Sequence, residues 1–221
     1  MSEHTTQRER YTVSVYESEQ TPGTLIFSFV PKGLQHERGP NGVPKRVPQF
    51  SVSVRQEAGG LAFDWSETAD DPGTAREEMQ AEIADRMKDR ANWIERVNAL
   101  VGQVEQWAKE MGWSTRRVEK KLDDPWIGKH RVPALLMQED LCRILLEPIG
   151  RSSLGAEGLA DLYLMPAYDD IASLYYFGNH WNLHYLFPGV RSTAEVRNAE
   201  SKPLSKERLS GVLAEMRQHA A

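Results

Sequence analysis

The sequence predicts an α+β protein: antiparallel β-sheet, formed by N-terminal hairpins and a C-terminal meander, packed against one long α-helix, with short additional helices. Three observations carry that expectation. Residues 132–188 fall into short apolar runs bounded by Gly, Pro and Asp, which read as strands. Residues 11–65 alternate β-branched or aromatic residues with small polar ones. Between the two groups, over residues 75–111, apolar residues recur three and four apart, the spacing of an amphipathic helix.

In chain order, residues 1–10 form a polar tail. Tyr11–Glu17 and Thr24–Val30 are half-buried strand patterns, and Thr21-Pro22-Gly23 turns one into the other. Residues 31–48 carry Pro31, Gly33, Gly39, Pro40, Gly42, Pro44 and Pro48 among Lys32, Arg38, Lys45 and Arg46, which predicts a long loop. A second hairpin follows, Phe50–Gln56 and Leu61–Trp65 about Gly59-Gly60. Thr74 with Glu77 three residues later has the form of a capping box. The helix it opens carries Met79, Ile83, Met87, Ile94, Val97, Val101, Val104, Ala108 and Met111 on one stripe, and Gly112 stops it. That stripe is expected to pack on the chain's own sheet. A homodimer through the 75–111 helix is the alternative use of it, and Arg90 interrupts the seam that such a dimer needs. Ser114 or Thr115 then caps a short second helix over Arg116–Leu122, so that 75–122 reads as a helical region ended by Asp123-Asp124-Pro125.

The meander shows its register most clearly at its end. With Gly178-Asn179 as a two-residue hairpin loop, Phe177 faces His180, Tyr175 faces Asn182 and Ser173 faces His184. Ala172, Leu174, Tyr176, Trp181, Leu183, Tyr185 and Phe187 then share an apolar face, and Ser173, Tyr175, His180, Asn182 and His184 a polar one. Residues 190–203 read as a linker, and Leu204–Gln218 as a closing helix with Leu209, Val212, Leu213 and Met216 on one side. The expected organisation is a single domain over 1–221, subdivided into hairpins (11–70), helical region (75–122), meander (132–188) and C-terminal helix (204–218). The pattern leaves open whether the two strand groups share a sheet.

Composition bounds the function classes. With 40% hydrophobic and 27% charged residues, the chain is an ordinary globular one. A net charge of −5 argues against a coat of positive charge for nucleic acid, though not against a local basic patch. The one cysteine, Cys142, excludes an intramolecular disulfide and a cysteine-only zinc site. No run approaches the roughly 18 apolar residues of a membrane span. The opening residues lack the apolar centre of a secretion signal. The expectation is a cytoplasmic protein that does not engage a membrane.

Two constellations carry chemistry in principle. Glu147 and Asp161 lie inside strands, Asp169-Asp170 precede the last hairpin, and His180 and His184 share its polar face. Glu147, Asp161 and His184 are therefore candidates for general acid–base work, and Asp169, His180 and His184 for a divalent metal. No lysine follows Asp161 at metal-nuclease spacing and no His-Glu-x-x-His is present, and a water-facing strand carries such residues routinely. Asp169-Asp170 after Pro166 also suit a turn. Ser173, opposite His184, lies mid-strand without the sharp turn a nucleophilic serine needs. The second constellation is Arg116, Arg117, Lys120, Lys121, Lys129 and Arg131 with Trp126 interleaved, a set that supplies phosphate contacts and a stacking platform, diluted by Glu119, Asp123 and Asp124.

The preferred reading is a non-enzymatic accessory or interaction protein that binds another macromolecule, a protein first and nucleic acid through 113–131 second, with no cofactor. The alternative is a metal-dependent hydrolase or nuclease with its carboxylate and histidine site on the 142–187 sheet, and a divalent metal belongs to that reading alone.

Overall fold

Strand patterns at the two ends of the chain build two separate antiparallel sheets. A computed structural model describes residues 10–32, 46–67, 69–153, 155–168, 170–185 and 201–220. The chain divides into two units, Met1–Arg90 with Asp123–Lys129, and Ala91–Leu122 with His130–Ala221. The class is α+β, as the sequence predicts.

In the first unit, β1 (Tyr11–Glu17), β2 (Leu25–Pro31), β3 (Phe50–Glu57) and β4 (Gly60–Trp65) form a four-stranded sheet in chain order. Their register sets Val15, Phe27, Val52 and Trp65 in one cross-strand row and Val13, Phe29 and Phe50 in the next. Met79, Ile83 and Met87, one turn apart on α1 (Arg76–Glu110), pack on that face. Burying each such side chain is worth about 1.5–3 kcal/mol. The expected capping box is not what starts the helix. Asp71 accepts the Gly73 N–H at 3.0 Å, and a 3-10 turn over Gly73–Ala75 leads into Arg76. A short carboxylate two residues upstream out-competes Thr74 for the first free N–H groups.

The turn between β5 (Ser114–Asp124) and β6 (Gly128–Glu139) belongs to this unit and is held from α1. Arg86 is 5% exposed. It donates to Glu82 from Nε and Nη2 and to the Trp126 carbonyl from Nη1, with its guanidinium 3.8 Å from the centre of the Trp126 ring. The Trp126 indole N–H donates to Asp89 at 2.8 Å. Arg90 donates to the carbonyls of Ile127 and Lys129. The residue that breaks the helix stripe is therefore a carbonyl anchor. Burial holds its guanidinium below the ordinary arginine value, and Glu17 opposes that pull. Gly128 completes the turn at φ +73°, where an added Cβ would lie 2.7 Å from Val15 Cγ1.

The second unit is built on a seven-stranded antiparallel sheet in the order β11-β10-β9-β8-β7-β6-β5. Its remaining strands are β7 (Cys142–Gly150), β8 (Leu159–Met165), β9 (Ile171–Phe177), β10 (His180–His184) and β11 (Lys202–Pro203). Ile144, Leu146, Leu162, Leu164, Ala172 and Leu174 point to a closed inner face, as their alternation with half-exposed neighbours requires. Val97, Leu100, Val101, Val104 and Ala108 of α1 are buried in the same unit, as are Leu209, Val212, Leu213 and Met216 of α2 (Lys206–His219). Most of the apolar stripe predicted along this helix is therefore buried within the two units. The last hairpin has the expected register, with Phe177 opposite His180 and Ser173 opposite His184. Gly178 and Asn179 both take positive φ, +60° and +62°, as this tight loop demands.

Three sequence expectations need correction here. Residues 114–124 are not a helix capped by Ser114 or Thr115 but the edge strand β5, so the helical region ends at Glu110 rather than 122. Their charge density resembles a solvated helix, yet pairing with β6 decides, and an edge strand tolerates such charge well. Asn182, expected on the polar face, is 2% exposed, because Pro203 of β11 pairs opposite it. Lys202–Pro203 is accordingly a short strand rather than linker, while Phe187, the proline-rich stretch 33–45 and residues 186–200 lie outside the described residues.

At the centre of the second unit, Trp93 is fully buried and its indole N–H donates to His130 Nε2 at 2.9 Å. An indole only donates, so this imidazole nitrogen carries no proton. Trp93→Phe removes the donor and leaves a buried acceptor. Denaturant unfolding should show a loss of about 1–3 kcal/mol. Gly128→Ala combines a left-handed backbone with the Val15 contact, and the same measurement should show about 2–4 kcal/mol lost. A neutral result for Gly128→Ala would mean the turn relaxes away from β1.

Candidate functional site

Antiparallel register, not proximity in sequence, assembles the polar residues of the meander. Glu147 pairs with Asp161, Asp161 with Ser173 and Ser173 with His184, so four side chains from β7, β8, β9 and β10 form one row on the outer face of the seven-stranded sheet. Adjacent strands lie about 4.8 Å apart, so Glu147 and His184 stand roughly 14 Å from each other. One divalent ion holds its ligand atoms about 2.0–2.6 Å away. The row therefore aligns the candidate acid–base residues without bringing them together on one ion. Among the described residues, no group of three His, Cys, Asp or Glu has metal-holding geometry. Asp169 lies outside the described residues. His180 is exposed, with its Nδ1 2.7 Å from the Gly178 carbonyl.

Three members of the row, Glu147, Asp161 and Ser173, already have structural employment. Glu147 pairs with Lys120 at 2.8 Å. Asp161 accepts from the Ser173 hydroxyl at 2.7 Å and from the Tyr163 hydroxyl at 2.9 Å. Ser173 gives its proton to a carboxylate rather than to His184, so these two do not form a nucleophile and base. Tyr163 is held above the ordinary phenol range, first by burial and then by its hydrogen bond to Asp161. Tyr185 is held up in the same way, by burial and then by donation to Asp170.

The basic segment is similarly occupied. Arg117 pairs with Glu105 at 2.6 Å, and Lys109 also reaches that carboxylate. The Lys109 hydrogen bond, with Arg117 next, holds the Glu105 carboxyl below its usual range. Arg131 pairs with Glu119, and Trp126 has its ring face under Arg86 and its N–H on Asp89. Arg116, Lys121 and Lys129 are exposed.

Two features escape a residue-by-residue reading of the sequence. One is a cleft of about 560 Å³ in the second unit, bordered by Asn92, Arg96 and Gln103 of α1 and by Tyr176, His180 and Trp181 of the last hairpin. Arg96 in its wall lies over the Tyr176 ring and pairs with Glu157 at 3.2 Å. The only sequence signal is a polar line at spacings of four and seven on the helix. The other is a second row on the outer sheet face, Leu136, Leu145, Tyr163 and Ile171, paired in that order across four strands. Leu136, Leu145 and Tyr163 are half-buried, and Ile171 is 46% exposed. Tyr168 packs on Tyr163 and is itself 46% exposed.

No family model, curated protein or solved structure matches this chain. Among the described residues, no helix is long and apolar enough to cross a membrane.

The two half-buried phenols set an alkaline limit. Both pKa values are raised above the ordinary 10, so the folded state retains protons that the unfolded chain releases. Their contribution is complete below about pH 10 and declines as pH rises beyond it. In a near-ultraviolet absorbance titration, Tyr163 and Tyr185 should ionise only with base unfolding, and Tyr163→Phe should remove one late phenol. If every tyrosine titrates together near pH 10, these hydroxyls are not held as described.

Proposed function

We propose that this chain is a non-enzymatic interaction protein whose outer sheet face in the second unit receives a partner protein. The observation that supports it is the Leu136–Leu145–Tyr163–Ile171 row, a band of half-exposed apolar side chains four strands wide. A contiguous apolar band rimmed by polar residues is what a protein interface presents. The rim is at hand: Arg143 pairs opposite Gln138 and Met165 on one side of the band, and Glu147 and Asp161 lie on the other. Tyrosine at the centre provides a large, rigid anchor with a polar tip. The partner is a protein segment with apolar side chains at its centre and mixed charge at its edges.

Nucleic acid is the weaker choice. Arg117, Lys120 and Arg131 are committed to carboxylates, and the Trp126 ring already carries a guanidinium. The hydrolase reading would draw on the same outer face through Glu147, Asp161 and His184. It requires a divalent ion to raise the melting temperature, with the effect lost in His184→Ala.

Photocrosslinking tests the proposal. A photoreactive phenylalanine analogue at Ile171 and another at Phe177 should capture the same partner from the source cell, and Leu145→Asp should abolish both adducts while leaving the far-ultraviolet spectrum unchanged. The analogue at Arg55, exposed on β3 of the other sheet, should not capture it. Equal capture from all three positions, or none from any, would remove the outer face as the binding surface. Thermal stabilisation by Mg²⁺, Mn²⁺ or Zn²⁺ that depends on His184 would replace it with the metal-dependent reading.

A further inference from the structure

Strand β5 ends the seven-stranded sheet, and nothing pairs with its far edge among the described residues. It is eleven residues long and mostly exposed, with Val118 41% exposed. Charge on an edge strand normally prevents pairing with another chain. Here the order of the charges does something else.

Two copies of one strand related by a two-fold axis pair antiparallel, and the axis then sets one residue opposite its own copy. The choice of that residue fixes every other pair. Centring on Glu119 opposes it to itself and sets Arg117 against Lys121. Centring on Lys121 opposes Glu119 to Asp123. Centring on Val118 sets Arg116 against Lys120. Centring on Leu122 opposes Lys121 to Asp123 and Lys120 to Asp124, both complementary, but engages only the last five residues of the strand. Centring on Lys120 keeps every flanking pair complementary over nine: Glu119 opposite Lys121, Val118 opposite Leu122, Arg117 opposite Asp123 and Arg116 opposite Asp124. The remaining like-charge contact, Lys120 against Lys120, is relieved within each copy, because Glu147 holds the ammonium at 2.8 Å.

We infer that β5 is a homodimer edge: two copies of the chain join antiparallel through Arg116–Asp124 about Lys120 and continue one sheet into the other. The partner is a second copy because the pattern is complementary to its own reverse. Each charge on one side of Lys120 is matched by the opposite sign at the same distance on the other side, and the exposed Val118 meets Leu122 on both sides of the axis. This interface is independent of the outer sheet face proposed above for a different protein.

Sedimentation velocity on the full chain tests it. The wild type should sediment as a dimer that dissociates on dilution. Glu119→Lys places two lysine–lysine contacts across the axis, and Lys121→Glu places two glutamate–glutamate contacts there. Each should weaken the dimer by about tenfold or more, and the double variant Glu119→Lys with Lys121→Glu should restore it. Both positions are exposed, and the Glu119–Arg131 pair that the first change removes is itself solvent-exposed, so the monomer fold tolerates either change. Lys120→Cys brings two thiols to cross-strand distance, about 4.5–5.5 Å between Cα atoms, and should yield a disulfide-linked dimer on oxidation, whereas Val118→Cys should not. A wild type that is monomeric at all concentrations overturns the inference. So does a dimer that ignores both single swaps and does not cross-link at position 120, since its contact lies elsewhere.

Discussion

A buried guanidinium has to satisfy all of its donors, and in this protein one such group fixes a whole turn. Arg86 divides its hydrogen bonds between Glu82 and the Trp126 carbonyl and sets its guanidinium carbon over the Trp126 ring. Asp89 and Arg90, within the next turn of the same helix, take up the Trp126 indole and the carbonyls of Ile127 and Lys129. Removing one partner of such a set leaves a charge or carbonyl buried alone, which costs far more than the net worth of any one bond. The turn in question is where β5 reverses into β6, so the conformation of that turn is settled by three polar side chains of α1. The first unit also provides Val15 to close the space over Gly128.

The larger sheet has two unlike faces with distinct consequences. Its inner face is closed by apolar side chains that alternate strictly with the outer ones, so a slip of one residue would expose every buried position. Its outer face alternates by rows instead. One row is polar and internally hydrogen-bonded through Asp161, and the next is apolar and half-exposed. The carboxylate of Asp161 is taken up in organising Ser173 and Tyr163.

Much of this was readable from the residues. Gly178-Asn179 announced a tight reversal, and the facing pairs of β9 and β10 followed from counting outward. The Met79–Ile83–Met87 stripe and the Leu209–Val212–Leu213–Met216 cluster named the buried sides of both helices. What could not be read was set by partners distant in sequence. Residues 114–124 have helix-like composition, and only pairing with β6 makes them a strand. Arg90 looks like a flaw in the stripe until the carbonyls of Ile127 and Lys129 are seen in front of it. Trp126 looks like a stacking platform until Arg86 is found on its face. Asn182 has the alternation of an exposed residue and is covered by Pro203. The row linking Glu147 to His184 needs the registers of three strand pairs at once, which no local pattern contains.

Cys142 opens β7 with its side chain in the closed face, 3% exposed. Burial pushes its thiol up, a tendency that Arg217 partly counters and Glu139 reinforces. A protonated, enclosed thiol is a poor nucleophile, and the chain contains no other cysteine. The native protein is consequently silent toward maleimides and spin-label reagents while folded. Any cysteine introduced on its surface becomes a single addressable handle, so distances within each unit can be mapped by fluorescence or paramagnetic labels without first editing the core.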